Sequence, residues 1–156
     1  MPVYALEIDD FCEEEYSLIG IHSTLEDYKL AYLLNKNLST KFYKAKEDLE
    51  FVREKKKVSF SIYNYENNEN DFDWFLIANS YRRENKSISK DLLLTSETKT
   101  YLIPEKKKVD FFLKISGIVE YEFVLRTINK IKNIENVITA FSIDKNTLKS
   151  KDFLIF

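Results

Sequence analysis

The sequence predicts an α+β protein, in which a mostly antiparallel sheet carries two helices packed on one face, in a ferredoxin-like style with split βαβ units. Three observations support this class. Short alternating apolar runs follow one another through the middle of the chain, as in a strand meander. Two other segments have apolar residues at helical spacing. Aromatic residues, which strands favour, make up 15% of the composition.

The first part of the chain predicts a strand followed by a helix. An acidic arm at 1–15 precedes a strand at 16–22. Ser23 or Thr24 is the predicted helix N-cap, and Ser23 with Glu26 matches a capping box. The helix is followed by an extended segment and a lysine-rich turn.

The rest of the chain predicts a meander and a second strand–helix–strand unit. The predicted strands lie at 57–66, 72–84, 91–96, 99–103, 109–115, 136–144 and 151–156, and the second helix at 116–134. Pro104 ends a strand because it cannot donate to a ladder. Alternation in the strand after it places Val109 on one face with Phe111, and Asp110 on the other with Lys114.

The 156 residues fit a single domain, 1–156. Residues 16–66 and 98–156 form two similar strand–helix–strand halves with the meander between them. Internal duplication and chance similarity both remain open. Two helices on one face of a sheet leave the opposite face to meet water or a partner.

The composition excludes several kinds of site. With two glycines, the chain has no phosphate-binding glycine loop. With one cysteine and one histidine, it has no intrachain disulfide and none of the usual zinc ligand sets. We therefore predict no catalytic, cofactor-binding or metal-binding residues and no cofactor. The net charge of −2 and the lack of a signal peptide or membrane span favour a cytoplasmic protein that does not associate with membranes.

The segment EKKKV occurs twice, at 54–58 and 105–109, and each copy precedes an alternating apolar run. The second copy lies in a longer motif made of Ile103, Pro104, Glu105, Val109 and Asp110. This motif resembles the one that names the IPExxxVDY family of small bacterial proteins. The chain has Phe111 where the family has tyrosine, so a phenolic hydroxyl is not required there. The resemblance implies no activity, cofactor or substrate class.

The motif itself has two interpretations. Glu105 and Asp110 could form a carboxylate pair beside the lysines, able to hold a metal or an anionic ligand. The favoured interpretation is a hairpin, in which the lysines form a solvated turn that discourages edge-to-edge aggregation. His22 could act as a general base near Cys12 or Ser23, but a capping or half-buried role is favoured.

The aromatic strand at 72–84 is the best functional lead in the sequence. Its Trp74, or its Phe75 and Ile77, would be exposed on a single-layer sheet, unless the N-terminal arm covers them. The first hypothesis is a non-enzymatic interaction or regulatory module that uses this apolar face to form a homodimer or to bind a protein partner. The alternative is a nucleic-acid-associated protein that uses the lysine-rich turns. An enzyme is the third and least favoured hypothesis.

Overall fold

The structure, a computed structural model, describes residues 15–67, 72–89, 92–154 and 156. The acidic arm lies outside these residues except for Glu15, and so does Cys12. In chain order the elements are β1 (Tyr16–Ser23), α1 (Asp27–Leu38), β2 (Tyr43–Lys44), β3 (Leu49–Arg53), β4 (Lys56–Phe60), β5 (Ile62–Asn67), β6 (Phe72–Ala78), β7 (Ser80–Ser89), β8 (Leu92–Tyr101), β9 (Phe111–Ser116), α2 (Tyr121–Lys132) and β10 (Val137–Ile143).

The predicted α+β class and the antiparallel character of the sheet are confirmed. The main sheet has six strands in the order β10-β1-β9-β6-β5-β2, and every neighbouring pair is antiparallel. Strands β9 and β10 both flank β1, so they run parallel to each other, and β9–α2–β10 is a split βαβ unit. In the other unit, β1–α1–β2, three strands of the sheet (β9, β6 and β5) lie between β1 and β2. Hairpins β3–β4 and β7–β8 form separate two-stranded sheets.

Both helices pack on one face of the main sheet, as the sequence predicts. The apolar stripe of α1 buries Leu30 and Leu34, and that of α2 buries Ile128 and Ile131. These side chains contact the alternate residues of the sheet that point the same way, which include Ile19, Ile21, Trp74, Leu76, Leu113 and Ile115. Burial of this apolar surface is the main stabilising contribution on this side of the protein.

The opposite face of the sheet is also covered, and the covering elements belong to the same chain. Hairpin β3–β4 places Val58 and Phe60 against it, and the segment after β8 adds Leu102 and Ile103. The segment that follows β10, called the C-terminal segment, contributes Leu154 to the same cluster. The protein therefore has a second apolar core behind the sheet, which a two-layer interpretation of the sequence does not contain.

A buried lysine lies on this second face. Lys114 in β9 is fully buried, and its Nζ donates to the carbonyl oxygen of Leu154 at 2.7 Å. The rings of Tyr16, Phe75 and Phe156 surround the ammonium group, with centroids 4.8, 5.5 and 4.5 Å from Nζ. Such cation–π contacts stabilise a desolvated ammonium group. Lys114 thereby links the C-terminal segment to the centre of the sheet.

Several predicted strand boundaries are wrong. The predicted strand at 72–84 is divided at Asn79 into β6 and β7, which belong to different sheets. The two short strands at 91–96 and 99–103 are one strand, β8. The predicted closing strand at 151–156 contains a 3₁₀ turn, Lys151–Leu154. Apolar alternation does not distinguish a strand of the main sheet from a covering segment, because both bury one side.

The predicted helix cap and the predicted turns also need correction. Helix α1 begins at Asp27 with Glu26 as its N-cap, and no side chain caps it. Glu54 and Lys55 form the two-residue turn of hairpin β3–β4, both at positive φ. The second EKKK copy, 105–108, instead begins within a 3₁₀ turn, Pro104–Lys106, and joins β8 to β9, which do not pair; the favoured hairpin interpretation of the motif is therefore wrong. The two copies are therefore different structures.

No helix in the described part of the chain is both long and apolar enough to cross a membrane.

Candidate functional site

The segment between β8 and β9, residues 102–110, carries the motif and is called the motif segment. It is held in place by a buried side chain, Asn79. Its Nδ2 donates to the carbonyl oxygens of Lys106 at 2.9 Å and Val109 at 2.8 Å. Its Oδ1 accepts from the backbone N–H of Ile103 at 2.8 Å. The backbone of Asn79 also donates to Asp110 O at 2.9 Å. Ile103, Val109 and Asp110 of the motif therefore occupy positions that Asn79 defines.

Arg53 connects the first lysine turn to the same segment. Its guanidinium donates to the carbonyl oxygens of Tyr101 and Leu102, the latter at 3.1 Å. The ring of Phe153 lies 4.5 Å from its Cζ. Burial among these groups lowers the pKa of Arg53. Arg53 therefore anchors hairpin β3–β4, the motif segment and the C-terminal segment to one another.

Asp110 and His22 meet, although the sequence separates them widely. The Asp110 Oδ2 atom lies 2.6 Å from His22 Nδ1 and accepts from the backbone N–H of Ser23 at 2.9 Å. Both side chains are partly exposed. Val109 does not share the face of Phe111 as predicted: β9 begins at Phe111, and Val109 lies in the second core.

This Asp–His pair has part of the geometry of a catalytic site. A carboxylate at Nδ1 fixes the imidazole orientation and leaves Nε2 to exchange a proton. The Ser23 hydroxyl is not available as a nucleophile, because it is buried, donates to Asn136 O at 2.8 Å and accepts from Leu25 N–H. No described hydroxyl or thiol forms a hydrogen bond with His22.

The less favoured interpretation of the motif, a pair formed by Glu105 and Asp110 beside the lysines, is not seen. Asp110 binds His22, whereas Glu105 is exposed and accepts from the Ser150 hydroxyl at 3.2 Å. The described residues contain no group of three or more His, Cys, Asp or Glu side chains arranged to hold a metal ion. A groove of about 680 Å³ lies beside the Asp–His pair and is lined in part by Ser61, Ser80 and Lys99.

The predicted interaction face is not open, and this expectation is corrected. Trp74 is 5% exposed and Ile77 is fully buried, one in each core. Phe75 is partly buried and has the ring of Phe156 5.1 Å away at 88°. Hairpin β3–β4 and the C-terminal segment cover this face of the sheet, because they pack their own apolar residues against it.

An open apolar surface lies instead at one end of the sheet, along β10 and α2. Within the described residues, β10 has one neighbouring strand, β1. Ile138 is 59% exposed and Phe141 is 38% exposed. Helix α2 packs against this strand and exposes Tyr121 and Leu125. We call these four side chains, with the free backbone edge of β10, the β10 edge surface.

A basic cleft of about 370 Å³ lies between the two hairpins and Pro104. Its lining includes the cationic side chains of Arg53, Lys56, Arg83 and Lys99, the carboxylate of Glu54 and the rings of Tyr81 and Tyr101. The ammonium groups of Lys99 and Lys107 lie 5.2 and 5.8 Å from the ring centroid of Tyr101. One cation from β8 and one from the second lysine turn therefore approach the same aromatic ring.

A comparison with protein-family models, with curated proteins and with solved structures found no match to this chain. The sequence did not point to Asn79 or to the β10 edge surface. One signal for Asn79 was available: an amide interrupts an otherwise apolar strand pattern, and a buried amide needs several partners.

Proposed function

We propose that this protein is a non-enzymatic interaction module that forms a homodimer through the β10 edge surface. In this dimer, β10 of one copy pairs antiparallel with β10 of a second copy around a twofold axis, and the two six-stranded sheets become continuous. Twofold symmetry favours this arrangement, since the same surface serves both partners and the contact closes on itself. The observation that carries the proposal is the edge of β10, which has no charged residue and which no described strand pairs with on its outer side.

The sequence of β10, Val137–Ile143, supports the pairing. Its seven residues include no charged residue and no proline, two of the devices that protect edge strands, although a β-bulge interrupts its register with β1 near Ile138. Ile138 is exposed at this bulge, and Phe141 extends from the face opposite the helices, by alternation with buried Ala140. Pairing of two copies would cover both side chains and satisfy the outward backbone groups of both strands.

The other edge of the sheet lacks these properties. Strand β2 has only two residues, Tyr43–Lys44, and both are exposed. Lys44 Nζ lies 2.9 Å from the Asp48 carboxylate and 4.0 Å from that of Asp27. A short, charged edge resists pairing with another strand. The two edges therefore differ, and the self-association is assigned to β10.

The test places a positive charge at two exposed positions of β10, Ile138 and Phe141. Analytical ultracentrifugation across a range of protein concentrations is expected to show a wild-type dimer and an Ile138→Lys/Phe141→Lys monomer. The circular dichroism spectrum of the variant should remain that of the wild type, because both side chains are exposed in the monomer. Val52→Lys is the control: Val52 is 76% exposed on hairpin β3–β4, and this variant should remain dimeric.

Two results would overturn this assignment. One is a wild-type protein that remains monomeric at every concentration, or a dimer that the double lysine variant does not weaken. The other is a monomer that dimerises only when residues 1–14 are removed, which would assign the edge to the N-terminal arm.

A second candidate function is binding of single-stranded nucleic acid, and the basic cleft favours it. The cleft places cationic side chains near the partly exposed rings of Tyr81 and Tyr101. In proteins that bind single strands, aromatic rings stack on the bases and cationic side chains contact the phosphates. The overall charge of −2 supplies no long-range attraction, so binding would depend on this local cluster.

Fluorescence anisotropy with labelled single-stranded oligonucleotides tests this second candidate. Lys56→Gln/Lys107→Gln should weaken binding. If two phosphate contacts are lost, the slope of log Kd plotted against log salt concentration should fall by about 1.4. Lys36→Gln/Lys132→Gln removes the same charge outside the cleft and should change neither quantity as much. Absence of binding at low salt, or equal effects of the two variants, would reject nucleic-acid binding at the cleft.

A further inference from the structure

A pair of adjoining cavities lies on the helix side of the sheet, away from the β10 edge surface, the basic cleft and the Asp–His pair. Their volumes are about 610 and 370 Å³. Asn67, Trp74, Phe123 and Arg126 line both cavities. Both volumes fall in the range of small-molecule sites, which are commonly apolar with a few converging polar groups.

Trp74 supplies the centre of the aromatic wall at this place. Its side chain belongs to the helix-side core and is 5% exposed. The rings of Phe42, Tyr65 and Phe123 surround it, with centroids 6.3, 6.2 and 5.9 Å away. Its Nε1 atom is buried and has no acceptor among the described residues. A ligand in the adjoining cavities would therefore contact the exposed part of the ring and not this N–H group.

Three cations line the larger cavity. Lys41 approaches from the segment after α1, and Arg126 and Lys130 project from one side of α2 at helical spacing. No ion pair in the described part of the chain involves any of the three. Glu66 lines the larger cavity and Glu120 the smaller one, so the larger cavity has an excess of positive charge.

The combination defines a ligand class. An aromatic wall of Trp74, Tyr65 and Phe123 suits a flat apolar body. Positive side chains, foremost the Arg126 guanidinium, suit a carboxylate or phosphate. We propose that these cavities bind a small aromatic oxyanion, whose ring lies against the exposed part of Trp74 and whose anionic group pairs with Arg126. This inference does not rest on the self-association proposed above.

The protein contains its own probe for this site, because Trp74 is the single tryptophan of the chain. Titration with benzoate and with phenyl phosphate is expected to change the fluorescence of Trp74 in a saturable manner. Benzamide, which has the same ring without the charge, should bind at least about tenfold more weakly if an ionic contact is lost. Inorganic phosphate, which has the charge without the ring, should also bind more weakly. Whichever of the two aromatic oxyanions binds more tightly identifies the preferred head group.

Variants separate this site from nonspecific effects. Arg126→Gln should weaken binding of the preferred probe by about tenfold or more. Lys132→Gln removes a cation from the same helix at a position that does not line the cavities, and should have no effect. Trp74→Leu, followed by calorimetry because the fluorophore is lost, should weaken binding because it removes the flat ring from the aromatic wall.

The inference has clear contradicting outcomes. The inference is overturned if benzoate and phenyl phosphate, up to millimolar concentration, produce no fluorescence change and no heat of binding. It is also overturned if Arg126→Gln and Lys132→Gln bind the preferred probe equally well, or if the wild type binds benzoate and benzamide equally well. If Trp74→Leu does not fold, the comparison of the two α2 variants still decides the result.

Discussion

Replacement of Phe60 by alanine is expected to lower the free energy of unfolding by about 3–5 kcal/mol, the range for a fully buried phenylalanine. Phe60 is fully buried and lies at the end of β4, where hairpin β3–β4 covers the second face of the sheet. Its truncation leaves a cavity between the hairpin and the sheet. Urea denaturation followed by circular dichroism measures the change. Val52→Ala, at an exposed position on the same hairpin, should stay within about 0.5 kcal/mol of the wild type.

The same variant also tests why the predicted interaction face is closed. If the hairpin loosens, the apolar side chains of the second core, among them Ile77 and Phe112, become accessible. Increased binding of a hydrophobic dye by Phe60→Ala, but not by Val52→Ala, is the expected sign. A loss of less than about 1 kcal/mol would contradict the role assigned to the hairpin, since it would place Phe60 outside a tightly packed core.

Asn79→Ala is expected to cost about 3 kcal/mol of unfolding free energy, because three side-chain hydrogen bonds are lost at about 1 kcal/mol each. Asn79 is fully buried, so its former partners at Ile103, Lys106 and Val109 do not readily regain hydrogen bonds from water. Thermal and urea denaturation give the value. Asn133→Ala, at an exposed position after α2, is the matched control and should be close to neutral.

Asn79→Asp separates hydrogen bonding from size. It retains an acceptor for the Ile103 N–H but replaces the amide donor with a carboxylate that faces the Lys106 and Val109 carbonyls. We therefore expect a loss at least as large as that of alanine at neutral pH. If both variants were as stable as Asn133→Ala, the motif segment would be held by its apolar side chains alone.

Much of the helix side of this protein could be predicted from the sequence. The spacing of Leu30 and Leu34 and the stripe that includes Ile128 and Ile131 identify two amphipathic helices. The alternation of Leu113 and Ile115 identifies a strand that buries one face beneath them. These patterns are local, since each depends only on how a helix or strand repeats. The class, the helices and the main strands follow from them.

The candidate site could be predicted only in part. The sequence identifies Asp110 in the motif and His22 beside a helix start, but not their contact. That contact depends on the pairing of β1 with β9, which brings together residues 88 positions apart. Glu105 and Asp110 are close in sequence, yet the 3₁₀ turn that begins at Pro104 places Glu105 beside Ser150 instead. Nearness in sequence did not predict nearness in space.

Two helices, a mostly antiparallel sheet and the absence of a glycine loop all follow from local patterns in the amino-acid sequence. Which apolar faces remain exposed follows from the tertiary fold alone. Trp74 and Ile77 are buried in separate cores, whereas Ile138 and Phe141 are left at an edge. Sequence patterns cannot make this distinction, because apolar residues have no preference for a particular partner. Burial by the chain itself or by another molecule depends on where β3–β4 and the C-terminal segment fold back, and on where β10 ends the sheet.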